Sequence, residues 1–280
     1  MENHFRAFSF VDRITAVEPG VRIRGTYAIP SGLESFSNSL VSEAVGQLAA
    51  WAAMAFVNFE RRPVAGIAES IELLGPVKPG QLLELAVEME SVDHEAANYH
   101  GSAHADGVPI VRLGHCVGPM VAVEEFDCRE KLHERFTLLC GPGAVPGAFG
   151  GVPPLVLEPA NGEAGQCARA TLRVPASAPF FADHFPRRPV FPGSLLMHAS
   201  MQLSAALASQ LPRPARGGHW ALRGVSNMKL RAFIPPGETL ALEAKLDSLS
   251  DDSATISVET RMGKRMVGGA RVLLGTEGRS

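Results

Sequence analysis

The 280-residue chain repeats itself, and this constrains its fold more than any other feature. RGTYAIPS (24–31) returns as RATLRVPA (169–176), an offset of 145. SLVSEAVGQLAA (39–50) returns as SLLMHASMQLSA (194–205), an offset of 155, and LLGPVKPGQLLELAVEM (73–89) as LRAFIPPGETLALEAKL (230–246), an offset of 157. Glu18-Pro19 reads as the counterpart of Glu158-Pro159, an offset of 140. Order is kept and the spacing grows only between blocks, so one fold is written twice. Between the copies, CGPGAVPGAFGGVPP (140–154) is rich in Gly and Pro and nearly free of charge, the composition of a crossing linker. The division is therefore a first unit, 1–139, a linker, 140–154, and a second unit, 155–280.

Each unit shows the same order: one or two strands, a loop, a long apolar helix, then several strands with Gly/Pro turns. In TLALEAKLDSL the residues Leu240, Leu242, Ala244 and Leu246 fall on one face by the period of two. KPGQ and PPGE are turn signals ahead of such strands. One helix per strand-rich unit predicts an α+β arrangement, a helix wrapped by an antiparallel sheet. The stretch 39–57 is long enough to span a bilayer, but it contains Glu43, Gln47, two serines and a glycine, which are costly in lipid. It reads as a buried core helix, so no membrane span is expected.

A net charge of −3, with scattered Lys and Arg, gives no footprint for nucleic acid. Cys116, Cys128, Cys140 and Cys167 form no C-x-x-C pair and fit reduced thiols in a cytoplasmic protein. The opening MENHFRAFSF carries acid and lacks a long apolar run, so it does not read as a signal peptide.

The copies diverge most between the early strand and the helix, where the offset jumps from 145 to 155. The added residues include FADHFPRRPVFPG (181–193), with three prolines, two arginines and one histidine. That many prolines exclude a helix interior or a central strand and leave a stiff loop holding His184. The next helix starts at Pro192-Gly193-Ser194, with Pro192 suited to its first position. Its free N–H groups and dipole suit a carbonyl oxygen that gains negative charge. His184 would stand nearby as a base. In the first unit, Glu43 and Gln47 are four apart on one face of an apolar helix. Burial there would keep the Glu43 carboxyl protonated, as a general acid must be. The matching positions in the second helix are His198 and Gln202. One copy has the His loop without the helix acid, and the other has the acid without the loop. Two units packed about a pseudo-twofold axis would make one complete site between them.

PFFADHFPRRPVFPGSLLMHASMQ (179–202) resembles the H-F-P-G-x-P-x-x-P-G loop and following helix of the β-hydroxyacyl-(acyl carrier protein) dehydratases. FSFVDRITAVEPGVRIRG (8–25) is similar to the N-terminal strands of the same family, so the resemblance extends over nearly the whole chain. It implies a fused double hotdog, two tandem hotdog units that each wrap a long helix in an antiparallel sheet. It implies His184 as the loop histidine, Glu43 as the helix acid, Gly193 as the helix-start amide and Gln47 as the accompanying glutamine, which orients Glu43. Three departures stand out: Arg187 replaces the family's loop glycine, His198 replaces a second helix acid, and the first copy lacks the His loop. The implied reaction is reversible loss of water from a 3-hydroxyacyl thioester to give a trans-2-enoyl thioester, as in fatty acid or polyketide biosynthesis. No metal or nicotinamide is implied. The substrate would ride on the phosphopantetheine of an acyl carrier protein or on coenzyme A, and a monomer or a homodimer is open.

Two other functions fit parts of the pattern. A hotdog thioesterase would use Glu43 to activate water without needing His184. A non-catalytic hotdog would bind acyl chains or a partner. Elsewhere, His100 and His104 share a strand face at metal-ligand spacing, but no standard third ligand is near, so a surface strand is expected. His115-Cys116 has no evident partner. Arg187 and Arg188 read either as attractors of an acidic carrier protein or as solvated loop charges.

Overall fold

The computed structural model describes residues 5–214 and 217–277. The first four residues of the opening stretch lie outside them. The first half contains β1 (Arg13–Glu18), β2 (Arg22–Ala28), helix α1 (Asn38–Phe56), β3 (Arg61–Pro63), β4 (Ile67–Leu73), β5 (Leu82–Val92), β6 (Ala96–Ala105), β7 (Val108–Ala122) and helix α2 (Arg129–Cys140). The second half contains β8 (Leu157–Glu163), β9 (Cys167–Arg173), helix α3 (Gly193–Ala208), β10 (His219–Leu230), β11 (Thr239–Leu249), β12 (Ser253–Met262) and β13 (Arg265–Glu277). The strands form one sheet in the order β1-β2-β5-β6-β7-β4-β10-β13-β12-β11-β9-β8, with β3 off this path against β7. Read from its middle outwards, each half has the same order, as a double hotdog requires.

The middle is the antiparallel pair β4–β10. Ile71 lies opposite Val225 and Ala68 opposite Met228. In the 157-residue repeat register Ile71 corresponds to Met228 and Ala68 to Val225. Exchanging the halves therefore maps this pairing onto itself, which defines the pseudo-twofold axis.

The strands alternate as their sequence period demands: Leu240, Leu242 and Ala244 are buried between exposed or half-buried neighbours. Both helices belong to one continuous hydrophobic core with the inner faces of both half-sheets. Among the described residues, α1 is the one helix long and apolar enough to cross a membrane, and 67% of its most apolar window is buried inside the fold. Burial among strands satisfies its apolar surface, which accounts for a composition that otherwise reads as membranous.

Two features depart from the sequence reading. The strand register places Glu18 opposite Arg22 and Glu163 opposite Cys167, so the β1–β2 turn repeats at an offset of 145 rather than 140. The aligned turns are Glu18-Pro19-Gly20 and Glu163-Ala164-Gly165, whose glycines have φ of +76° and +71°. A tight turn needs that left-handed glycine, whereas Pro159 sits inside β8. The second feature is α2, a helix at the end of the first unit that the sequence reading did not include and that ends at Cys140, the first residue of the expected linker. It buries Leu132 and Leu139, with the Phe136 ring tilted against Trp51, 6.1 Å between centroids. The chain from Gly141 to β8 has no regular element. It carries Phe149, buried against Phe8, Phe10 and Phe36.

Candidate active site

Between β2 and α1 the chain takes a short path, residues 29–37, whereas between β9 and α3 it takes the longer one, residues 174–192. The longer path is closed on itself by His184 and Val190. The Val190 N–H donates to the His184 carbonyl at 2.9 Å, and His184 Nδ1 bonds to the Val190 carbonyl at 2.8 Å. A carbonyl only accepts, so Nδ1 carries the hydrogen and Nε2 keeps its lone pair. The prolines stiffen the loop between these two bonds. The His184–Phe185 peptide bond is cis.

Arg187 occupies the position where the family pattern has glycine, and its role is visible. Its N–H donates to the Phe126 carbonyl at 3.1 Å, and its guanidinium pairs with Glu124. Arg188 pairs with Glu125 at 3.3 Å and lies over Phe126 and Phe233. Both arginines tie the loop to the first half, and their charges meet acids of this chain.

Glu43, Gln47, His184 and Gly193 all line one cavity of about 200 Å³, whose wall comes from both halves. Gln47 is fully engaged. Its Nε2 donates to Glu43 Oε1 at 3.0 Å and to the Phe8 carbonyl at 2.9 Å, while its Oε1 accepts from the Phe10 N–H at 2.8 Å. The amide thus fixes one carboxylate oxygen and also the segment before β1. Gly193 is the first residue of α3, with Pro192 in the cap position before it rather than inside the helix. Its amide is among the first-turn donors without an intrahelical acceptor. A Cβ on Gly193 would stand 2.3 Å from Leu230 Cδ1, so a larger residue at the helix start would require the end of that side chain to move.

Burial pushes the His184 imidazole below its ordinary pKa. Glu43 and the Val190 carbonyl oppose that shift, and Arg62 reinforces it. The imidazole is therefore biased towards its neutral form, the form a proton acceptor needs. His198 is not among the residues lining this cavity. Its Nδ1 is buried with no hydrogen-bond partner among the described residues, and burial lowers its pKa as well. Its companion Gln202 is exposed, so the second helix holds no buried acid–glutamine pair like Glu43 and Gln47.

Sequence reasoning missed three groups around the cavity. Arg62 and Asp127 pair at 3.4 Å, with 12% and 3% of their side chains exposed. Asp183 accepts from the Phe8 N–H at 2.6 Å, from the Ser9 hydroxyl at 3.1 Å and from the Phe5 N–H, strapping the chain's start against the loop. Arg135 of α2 reaches the same strap. One signal was available: Arg-Arg-Pro-Val occurs at 61–64 and at 187–190, outside the repeat register. Val64 and Val190 from the two copies of that tetrapeptide join one small apolar cluster with Phe126 and Phe185.

Outside the cavity, the partner of His100 is Glu90 rather than His104. His100 Nδ1 lies 3.3 Å from Glu90 Oε1 and His115 Nδ1 2.6 Å from Glu90 Oε2. The two imidazoles take opposite oxygens of one carboxylate. Among the described residues no three His, Cys, Asp or Glu side chains form a metal-binding group. Cys116 is hydrogen-bonded to Tyr99, and all four cysteines are free thiols.

Residues 160–270 match the ApeI-like dehydratase family. A 3-hydroxyacyl-(acyl-carrier-protein) dehydratase FabZ of Roseiflexus sp. is 37% identical over 87 residues, 31% of this chain and 60% of the relative. A FabZ of Rickettsia felis is 33% identical over 93 residues, 32% of this chain and 64% of the relative. The chain thus spans 60–64% of the length of these curated relatives. The sequence match lies in the second half, whereas the resemblance read from the strands had extended to the first. Structural likeness covers both halves. The tesB protein of Mycobacterium avium subs paratuberculosis superposes with a TM-score of 0.59 at 13% identity, over 95% of this chain and 96% of that one. The 12:0-ACP thioesterase of Umbellularia californica gives 0.55 at 10% identity, over 91% and 94%. At such identities the likeness concerns the fold. The chain is a double hotdog whose second unit carries the ApeI-like dehydratase match.

Proposed function

We propose that the protein is a 3-hydroxyacyl-thioester dehydratase with one composite site between its two hotdogs. The observation that carries this reading is the state of His184: its Nδ1–H is spent on Val190, which leaves Nε2 as a base in the cavity that also holds Glu43 and the Gly193 helix start. His184 takes the proton from C2, beside the thioester carbonyl. The Gly193 N–H holds the carbonyl oxygen as charge gathers there. Glu43 donates its proton to the C3 hydroxyl, which leaves as water while the C2–C3 double bond forms. Proton return from His184 to Glu43 resets the site. Gln47 orients Glu43. The protein's own acid and base account for every proton moved, and the acyl group arrives on phosphopantetheine, from an acyl carrier protein or coenzyme A.

The test is hydration of trans-2-enoyl thioesters on both carriers, followed by mass spectrometry, with Glu43→Gln and His184→Asn beside the wild type. Water addition that disappears in both folded variants supports the composite site. Release of free acid that survives the His184 change assigns the chain to thioesterases. Binding of acyl thioesters without turnover makes it a non-catalytic hotdog.

A further inference from the structure

In the second half, β10 runs unbroken from His219 to Leu230, whereas the first half spreads the equivalent length over β3 and β4 with a break at 64–66. The short β3 holds Arg62 opposite Val121 of β7. From there the guanidinium bonds to Asp127 and lies 3.9 Å from the centroid of the Phe185 ring. The same ring stacks on the His184 imidazole, 4.3 Å between centroids and 22° between planes. Phe185 therefore carries a cation from the first half and the base from the second. Arg62 is costly to bury: desolvation pushes its pKa down to about 10 despite the pull of Asp127 and Glu43. A merely structural contact with Phe185 would be met more cheaply by an apolar side chain.

We propose that Arg62 is a positioning residue for His184, pinning the His184–Phe185 stack into the cavity from the opposite half and holding a fixed positive charge beside the imidazole. This rests on the dehydratase reading, in which His184 is the base. Several charged groups surround the imidazole. Glu43 of α1 favours its protonation and Arg62 opposes it. Asp127 is paired with Arg62, and Asp183, next in the chain, is engaged by the N-terminal strap and faced by Arg135 of α2. Arg187 and Arg188 are paired with Glu124 and Glu125. Arg62 thus holds a fixed positive charge beside the imidazole, and keeps it there when Glu43 carries the proton that the dehydratase reading assigns to it. It biases the imidazole towards the neutral form that accepts a proton, while the planar fork holds the ring stack in place.

The experiment titrates His184 by NMR in the full-length, histidine-labelled chain, its resonance assigned by its absence in His184→Asn. Wild type is compared with the double variant Arg62→Met/Asp127→Asn, which leaves no unpaired buried carboxylate, and with Arg62→Lys. In the double variant the imidazole midpoint moves upward, and the acid limb of kcat/KM for enoyl hydration moves with it, with activity returning by about pH 8. In Arg62→Lys the charge is kept but the fork is lost, so the midpoint stays near wild type while kcat falls about tenfold at unchanged KM. An unmoved midpoint in the folded double variant, or a wild-type kcat in Arg62→Lys, overturns the proposal. A midpoint that moves in a chain whose wild type never hydrates upholds the placement of Arg62 and sinks the dehydratase reading instead.

Discussion

The carbonyl of Val190 accepts the Nδ1–H of His184 at 2.8 Å, and the Val190 N–H returns a bond to the His184 carbonyl at 2.9 Å. Two residues six apart are therefore clasped at both backbone and side chain, and the clasp selects which ring nitrogen faces the cavity. An asparagine can copy the donor to Val190 but has no second nitrogen to act as a base.

His184→Asn should keep the loop closed and the melting temperature near wild type while kcat falls by about 10²–10⁴-fold. His184→Ala should lose the same activity and also about 1–3 kcal/mol of stability, because the Val190 carbonyl is left unpaired. Parallel hydration assays and urea melts separate the two. Equal stability loss in both variants would contradict the assigned clasp.

Gln47→Leu should cost about 1–3 kcal/mol, since the Phe10 N–H and the Phe8 carbonyl lose their partner together. Glu43 loses its orienting donor at the same time, so kcat should drop more than KM rises. Hydrogen exchange at Phe10 gives a second readout, with faster exchange expected in the variant.

Gly193→Ala drives a methyl towards Leu230 Cδ1, the end of a flexible side chain, and should destabilise by no more than about 1 kcal/mol, with a loss of kcat as the helix start shifts. Adding Leu230→Val removes the obstructing carbon and should restore part of both. A double-mutant cycle with no coupling between the two positions would refute this contact.

Acid should weaken the fold through two half-buried histidines. His184 and His198 both have folded pKa values below the ordinary imidazole value, owing first to burial. Above the ordinary value, near 6.5, neither state binds the proton and the histidine contribution is constant. Below it the unfolded chain takes up protons that the folded chain refuses, so stability falls with falling pH. Melting temperatures measured from about pH 8 to about pH 5 should show that decline. His198→Leu should make it shallower and leave hydration unchanged.

The repeat, the apolar helices and the strand faces were legible because they rest on periodicity, which survives divergence: Leu240, Leu242 and Ala244 point inward as their spacing demands. The Pro-rich loop was legible because proline limits the backbone so severely. The Glu18-Pro19 alignment failed because a shared dipeptide is weaker than a turn's demand for a left-handed glycine, which links Gly20 to Gly165. Helix α2 escaped notice because its sequence, REKLHERFTLLC, buries only Leu132 and Leu139 and has little apolar stripe to read. Arg62, Asp127 and Asp183 were invisible for another reason. Each gains its meaning from a partner more than sixty residues away, and no local pattern records such a pairing.

The self-mapping seam between β4 and β10 has a consequence for dilution. A cavity walled by two separate polypeptides comes apart as concentration falls, because each encounter must be renewed from solution. Here the partner strand is a covalent neighbour, present at an effective concentration set by the tether alone. Specific activity should therefore be independent of protein concentration down to the nanomolar range of a cell extract, and the cavity should re-form by first-order kinetics after unfolding. Fusion also ends the requirement that both cavities of a symmetric pair be kept. Arg62 and the Pro-rich loop could then diverge on opposite sides of a single site, each no longer bound to work in two places at once.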